Sequence, residues 1–168
     1  MKVCVIGGTG NISTSIVRVL LEKGHEVTCY NRCKSGTVPK DVRIICGDRS
    51  QREEFEKNMQ KESFDAVIDM ICFNAEDAKS DIRAFPHVGQ LVHCSTVCTY
   101  GIEYLWLPVT EDHPLRPISD YGRNKVAADP HFSKRITGCF SCHDNQTVDN
   151  LWPETWTVAA SRLGFLLD

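Results

Sequence analysis

The stretch Lys2-Val-Cys-Val-Ile-Gly-Gly-Thr-Gly-Asn-Ile-Ser13 limits the fold more than any other part of the chain. Val3, Cys4, Val5 and Ile6 are apolar at every position rather than at alternate ones, which predicts a strand buried on both faces, as at the centre of a parallel sheet. Gly7, Gly8 and Gly10 then make a turn. A helix is expected from Asn11, a good capping residue, with Ile12, Ile16, Val17, Val19, Leu20 and Leu21 at helical spacing and a stop at Gly24. Strand, glycine turn and helix in that order are the parts of a dinucleotide site. Glycines let the backbone approach a pyrophosphate, whose charge is favoured at a helix N-terminus. The spacing Gly7-x-x-Gly10-x-x-Ser13 varies the three-glycine fingerprint, and serine in the third place is still small enough for close helix-to-strand packing.

The 168 residues suffice for one domain with a real core, and 42% apolar with 24% charged residues is ordinary for a soluble globular protein. No apolar stretch approaches the length of a membrane span, and the N-terminal apolar run is too short for a signal peptide, so a cytoplasmic protein without a membrane partner is expected. A net charge of -3 gives no general reason to bind nucleic acid. Of nine cysteines, Cys4, Cys29, Cys46, Cys72 and Cys94 fall in or beside buried strands, where cysteine acts as a small apolar residue. Unbridged thiols in a reducing compartment are therefore expected in preference to disulfides. Cys139-Phe-Ser-Cys142-His143 matches the short motif for c-type haem attachment. Attachment requires an oxidising compartment and a distant axial ligand, so no haem is expected.

Further strands are expected at Glu26–Tyr30, Val42–Cys46, Phe64–Asp69 and Gln90–Cys94, with helices at about 50–61 and 74–85 between them. This alternation predicts an α/β fold of the Rossmann type, a doubly wound parallel sheet. Asn31-Arg32 ends the second strand. An acidic residue there would bond the adenosine ribose of NAD, whereas a cation accommodates the further phosphate of NADP, so Arg32 with Lys34 favours NADP over NAD. A solvated loop is the structural alternative. After the fifth strand come Ser95-Thr96 and Tyr100-Gly101, then an irregular segment with Pro108, Pro114 and Pro117, and a helix from Ser119-Asp120. Tyr121 and Lys125 share one face of that helix. An ammonium beside a phenol favours phenolate, so Tyr121 can move a proton to or from a substrate hydroxyl that Thr96 orients.

Gly-Gly-Thr-Gly-Asn-Ile-Ser13, Gly47-Asp48-Arg49, Ser95-Thr96 before Tyr100-Gly101, and Tyr121-x-x-x-Lys125, in that order, resemble the extended short-chain dehydrogenase/reductase superfamily, in particular NAD-dependent epimerase/dehydratase-like proteins. The resemblance covers residues 1 to 128, the expected NAD(P)-binding domain. It implies a catalytic set of Thr96, Tyr121 and Lys125, with Lys125 also holding the nicotinamide ribose. It implies cofactor binding by Gly7, Gly10, Asn11, Ile12, Ser13, Asn31, Arg32, Asp48, Arg49 and Met70, with Asp48 approaching the adenine. No metal is implied. Members act largely on nucleotide-linked sugars, so a nicotinamide dinucleotide and a nucleotide-sugar are the implied partners, and an oligomer is allowed. A related plant branch binds RNA, so a non-catalytic nucleotide- or RNA-binding module is the alternative function. The acidic balance weighs against it.

The family continues past this helix into a sixth strand and a substrate lobe, and residues 129–168 do not read that way. Back-translating Gly138 through Pro153 and reading one base later permits Phe-Pro-Val-Thr-Ile-Ile-Lys-Pro-Ser-Thr-Thr-Tyr-Gly-Pro, the type of continuation the family has. Residues 129–168 are therefore expected to be an atypical tail, out of frame, with a divergent natural C-terminus as the alternative. Trp152, Trp156 and Leu163–Leu167 are its apolar residues. A chain lacking the substrate lobe is expected to bind cofactor with little turnover.

Overall fold

The computed structural model describes residues 1–34, 36–110 and 112–132, and the backbone of 137–138. Strands and helices alternate as β1 (Lys2–Ile6), α1 (Asn11–Glu22), β2 (Glu26–Asn31), β3 (Arg43–Cys46), α2 (Arg52–Met59), β4 (Ala66–Asp69), α3 (Ala75–Ala84), β5 (Gln90–Cys94) and α4 (Asp120–Ala128). A two-residue β6 (Thr137–Gly138) completes a sheet of order β3-β2-β1-β4-β5-β6. Every pairing is parallel. The doubly wound sheet is thus the one expected, with most element ends within two residues of their expected positions.

The unbroken apolar run of β1 has its cause in the two layers around it. Val3 and Val5 face α1, where Ile16, Val17 and Leu20 close over them together with Val27, Cys29, Ile68 and Val92. Cys4 and Ile6 face the opposite layer, with Tyr30, Phe55, Met59, Val67, Ala78, Phe85, Leu91 and Ala128. At ~1.5–3 kcal/mol for each large aliphatic or aromatic side chain buried, the two layers supply the main driving force of the fold. Edge-to-face contacts run from Tyr30 to Phe55 and from Phe55 to Phe85, at centroid distances of 5.1 and 5.9 Å.

Three expectations need correction or extension. Cys46 is neither buried nor unbridged: it is exposed at the end of β3 and disulfide-bonded to Cys33. The pairing of Asn31 with Cys46 carries the turn after β2 over the end of β3, leaving the two Cα atoms 5.6 Å apart. Cys4, Cys29, Cys72 and Cys94 are buried thiols, as expected. The packed unit also runs past Ala128. Phe132 is fully buried, stacked on His93 at 4.6 Å, and Asp129 accepts a hydrogen bond from Ser95. Finally, β6 pairs with β5 at His93 and Cys94, so a short strand follows α4 where the sequence did not read as one. The Cys139–His143 motif, Trp152, Trp156 and Leu163–Leu167 lie outside the described residues.

Candidate functional site

In a parallel sheet every strand delivers its last residue to the same edge, and the expected site residues fall on that edge or the turns beyond it. Gly7 follows β1, Asn31 ends β2, Gly47-Asp48 follow β3, Met70 follows β4 and Ser95-Thr96 follow β5. Chain order also reverses at β1, which has β2 on one side and β4 on the other. A crevice at such a reversal, beyond the carboxyl ends, is where open α/β sheets bind ligands.

The glycine turn is built for close approach from outside. Gly7 has φ +82°, a conformation that costs a residue with Cβ, and a Cβ there would press on Ile71 at 2.8 Å. Gly8 is closed from behind by the Cys29 side chain. Gly10 differs: its φ is -77°, and a Cβ there would meet only the Ser13 hydroxyl at 3.1 Å and the Gly7 carbonyl at 3.8 Å. The space beside Gly10 is therefore open to a ligand. Ser13 is buried, and its hydroxyl accepts from the Gly10 N–H at 2.8 Å and donates to the Gly7 carbonyl at 2.6 Å, tying the turn to the helix. Asn11 and Ile12 open the helix, so their N–H groups have no intrahelical carbonyl to bond and mark its positive end. A glycine cradle under a helix N-terminus fits a dinucleotide pyrophosphate.

Gly47-Asp48-Arg49 divides into three roles. Glycine is required at 47 because a Cβ would run into the Tyr30 hydroxyl. Asp48 Oδ1 accepts from the backbone N–H and the hydroxyl of Ser50 at 2.9 and 2.7 Å. These bonds, aided by the charges of Arg32 and Lys34, hold its carboxyl below the usual carboxylate range. Arg49, expected at the cofactor, is instead buried in the core. Its guanidinium donates to Asp81 at 2.6 Å, the Asp77 carbonyl at 2.7 Å, Ser80 at 3.3 Å and Asp69 at 3.5 Å, and lies 4.1 Å over the Phe55 ring. Asp69, Cys72 and Asp81 bring three potential metal-ligand atoms within 4.8 Å of one another, but the cation among them is Arg49. Burial, then the neighbouring charge of Asp69, pushes the Asp81 carboxyl well up, against the opposing pull of Arg49. Met70 is half-buried, its N–H bonded to the Ile6 carbonyl. Asn31 is buried, its carbonyl taken by the Gly47 N–H, whereas Arg32 is exposed.

At the other end of the crevice, Thr96 opens a 3-10 turn, Val97–Thr99, its hydroxyl oxygen accepting from the Cys98 N–H at 3.3 Å. Ser119 caps α4 by accepting from the Gly122 N–H. A Cβ on Gly122 would lie 2.6 Å from the Cys98 carbonyl, so the first turn of α4, with Tyr121, packs directly on the turn that Thr96 opens. Tyr121 is 44% exposed, its ring 6.4 Å from that of Phe73. Lys125, one helical turn on, is 1% exposed, and its Nζ donates to the carbonyls of Cys72 and Cys94 at 2.7 and 2.6 Å. It ties the exits of β4 and β5 together while lying 5.9 Å from the Tyr121 ring centroid. An ammonium has three donors, so one is left beyond these two bonds. Phe73 and the two anchoring carbonyls were not legible in the sequence. Backbone oxygens carry no sequence signal, and a half-exposed phenylalanine after a strand reads as loop.

The sequence model of the NAD dependent epimerase/dehydratase family matches residues 3–87, about half of the chain. The chain belongs to this family. Among curated relatives of the epimerase/dehydratase family member described here, a 2'-dehydrokanamycin reductase of Streptomyces kanamyceticus is 34% identical over 130 residues, covering 77% of this chain and 37% of that protein. A UDP-glucose 4-epimerase of Lactobacillus helveticus is 31% identical over 147 residues, covering 75% of this chain and 44% of that protein. The chain thus spans less than half the length of these two relatives. In fold it is similar to the Bordetella bronchiseptica enzyme WbmG, solved in complex with NAD, with a TM-score of 0.70 at 18% identity over 84% of this chain and 52% of that one. Among the described residues of this family member, no helix is long and apolar enough to cross a membrane.

Proposed function

We propose that this chain is the cofactor-holding part of a nicotinamide-dependent epimerase, dehydratase or reductase acting on a nucleotide-linked sugar in the cytoplasm. The observation that carries the reading is the single carboxyl edge of the sheet. The Arg32–Asp48 pair of turns, the glycine cradle under α1 and the Thr96–Tyr121–Lys125 group lie along it in that order. The UDP-glucose 4-epimerase among the relatives supports the nucleotide-linked substrate class.

The dinucleotide supplies a hydride acceptor or donor; the chain's own residues supply position and proton transfer. The α1 N-terminus and the Gly10 cradle bind the pyrophosphate. Arg32 faces the adenosine end and favours the phosphorylated cofactor, NADP over NAD. Lys125 uses its third donor on the ribose and keeps positive charge beside Tyr121, favouring phenolate. Tyr121 takes the proton from a sugar hydroxyl or returns it, and Thr96 orients that hydroxyl.

Alignment of sugar and nicotinamide accounts for several kcal/mol of such a reaction, and the lobe that would provide it has no counterpart among the described residues. We infer that the described residues bind cofactor but by themselves turn over little, and we read residues 129–168 as out of frame. The test is a UDP-glucose turnover assay on two proteins: the given chain, and a version with the reading frame restored after Ala128 and a relative's substrate lobe appended. Activity in the second, abolished by Tyr121→Phe, with next to none in the first, is the expected result. Ordinary enzyme rates from the given chain would overturn the division of labour.

A further inference from the structure

The Cys33–Cys46 disulfide is the one covalent link between elements among the described residues, and it sits at the adenosine end of the crevice. Cys33 lies between Arg32 and Lys34, and Cys46 lies two residues before Asp48, whose carboxyl feels the charge of both cations. The bond therefore joins the two turns that would hold the far end of a dinucleotide.

The local backbone makes the bond consequential. Cys33 has φ 55°, and no other described residue except glycine has positive φ. A side chain with Cβ rarely rests there unless its surroundings hold it. The link to β3 is such a constraint, and it sets the direction in which Arg32 and Lys34 leave the strand. Beyond it the loop passes Gly36, whose Cα lies so close to Thr9 of the glycine turn that a Cβ would sit 2.7 Å from the Thr9 Cβ. The loop that the bond anchors therefore also touches the pyrophosphate cradle. Both cysteines are exposed, so a small reductant reaches them. In a reducing compartment a reachable disulfide of this kind is a sensor rather than a permanent brace.

We propose that Cys33 and Cys46 form a reversible redox site that sets the affinity of the adenosine end for a phosphorylated dinucleotide. Oxidation locks the Arg32–Lys34 turn in its binding shape, and reduction releases it. The inference rests on the assignment of Arg32 to that end under Proposed function. The chemistry is thiol–disulfide exchange with a low-molecular-weight disulfide. One cysteine thiolate attacks it, expelling the first small thiol and forming a mixed disulfide, which the other cysteine resolves by expelling the second. Two electrons pass from the protein thiols to the small disulfide, and the two thiol protons end on the two released small thiols.

The experiment equilibrates the full chain in glutathione buffers from reducing to oxidising and maps bonded cysteines by alkylation and mass spectrometry. NADPH and NADH affinities are then measured by calorimetry in the end states, with hydrogen exchange followed over residues 32–47. The Cys33→Ser/Cys46→Ser variant controls for oxidation of Cys98, the exposed thiol near Thr96. The expected result is an NADPH-to-NADH preference that falls about tenfold on reduction, as for loss of a charge-assisted phosphate contact. The double variant should show the low ratio in both buffers, and exchange over residues 32–47 should rise on reduction. An unchanged ratio with fully reduced cysteines would overturn the proposal, as would failure of the bond to form at any poise. Equal NADPH and NADH affinities in the oxidised state would instead sink the Arg32 assignment. In that case a joint fall of both affinities with faster exchange on reduction still supports the redox site, and no change in either overturns it.

Discussion

At the scale of single residues, the glycines of the first turn separate folding from binding. Gly8 is closed in by Cys29, so Gly8→Ala must move packed core atoms and should lower stability by ~1–3 kcal/mol in a urea melt. At Gly10 a Cβ meets the hydrogen-bonded Ser13 hydroxyl at 3.1 Å and the Gly7 carbonyl at 3.8 Å, so Gly10→Ala needs only a small shift of that hydroxyl and should cost less stability than Gly8→Ala. It should still lose about tenfold or more in dinucleotide affinity, because the methyl group occupies the pyrophosphate's approach. Calorimetry showing unchanged affinity for Gly10→Ala would remove the pyrophosphate from this turn. Arg32 offers the second test at this scale. NADPH should bind more tightly than NADH, and Arg32→Ala should erase a difference of ~1–3 kcal/mol. Equal affinities in the unaltered protein would show that the exposed guanidinium is only part of a solvated loop. The positions of the glycines, Arg32 and Thr96 after their strands and of Tyr121 and Lys125 on one helix were legible beforehand, and their roles are what these tests address. Arg49 was misplaced for a physical reason: a charged residue after a strand normally faces water, and nothing local announces the buried Asp69 and Asp81 that draw it inward.

At the scale of elements, the ion cluster joining the β3 exit to β4 and α3 predicts a pH dependence. Burial first, then the charge of Asp69, raises the Asp81 carboxyl well above its ordinary value of 3.8. The folded chain therefore holds a proton that the unfolded chain gives up, and the stability from this group falls as pH rises from about 4. A single such proton contributes a slope of up to ~1.4 kcal/mol per pH unit. Asp81→Asn keeps an oxygen for Arg49 and cannot ionise, so its stability should decline less between about pH 5 and 8 than that of the unaltered protein. Urea melts across that window decide the matter, and parallel slopes would contradict it. Glu56 and Glu62 are shifted the other way by Arg83 and Arg43, so their contributions are lost below that window and do not confuse it. The elements themselves were readable because a parallel strand buried on both faces shows as an unbroken apolar run. The Cys33–Cys46 bond was not readable. Its geometry depends on the register of β2 with β3, and apolar strand neighbours made unbridged burial the natural expectation for Cys46.

At the scale of the whole molecule, a strand order that reverses at β1 sets five strand exits on one edge, which we propose holds the dinucleotide named in the family's description. Little of the region after α4 was legible. Neither Phe132, fully buried beside His93, nor the short β6 lies in a periodic pattern, and pairing of two residues leaves no trace in sequence. The central claim is that the carboxyl edge forms one dinucleotide site. Its most direct test is a backbone amide NMR titration of the chain with NADPH. The account predicts saturable shifts at one site per chain, largest for Gly8 to Ser13, the Arg32 and Asp48 turns, Ile71 and Thr96, with Lys2, Glu26, Asp65 and Gln90 at the opposite edge unmoved. Shifts centred on the opposite edge, or none at saturating cofactor, would contradict it.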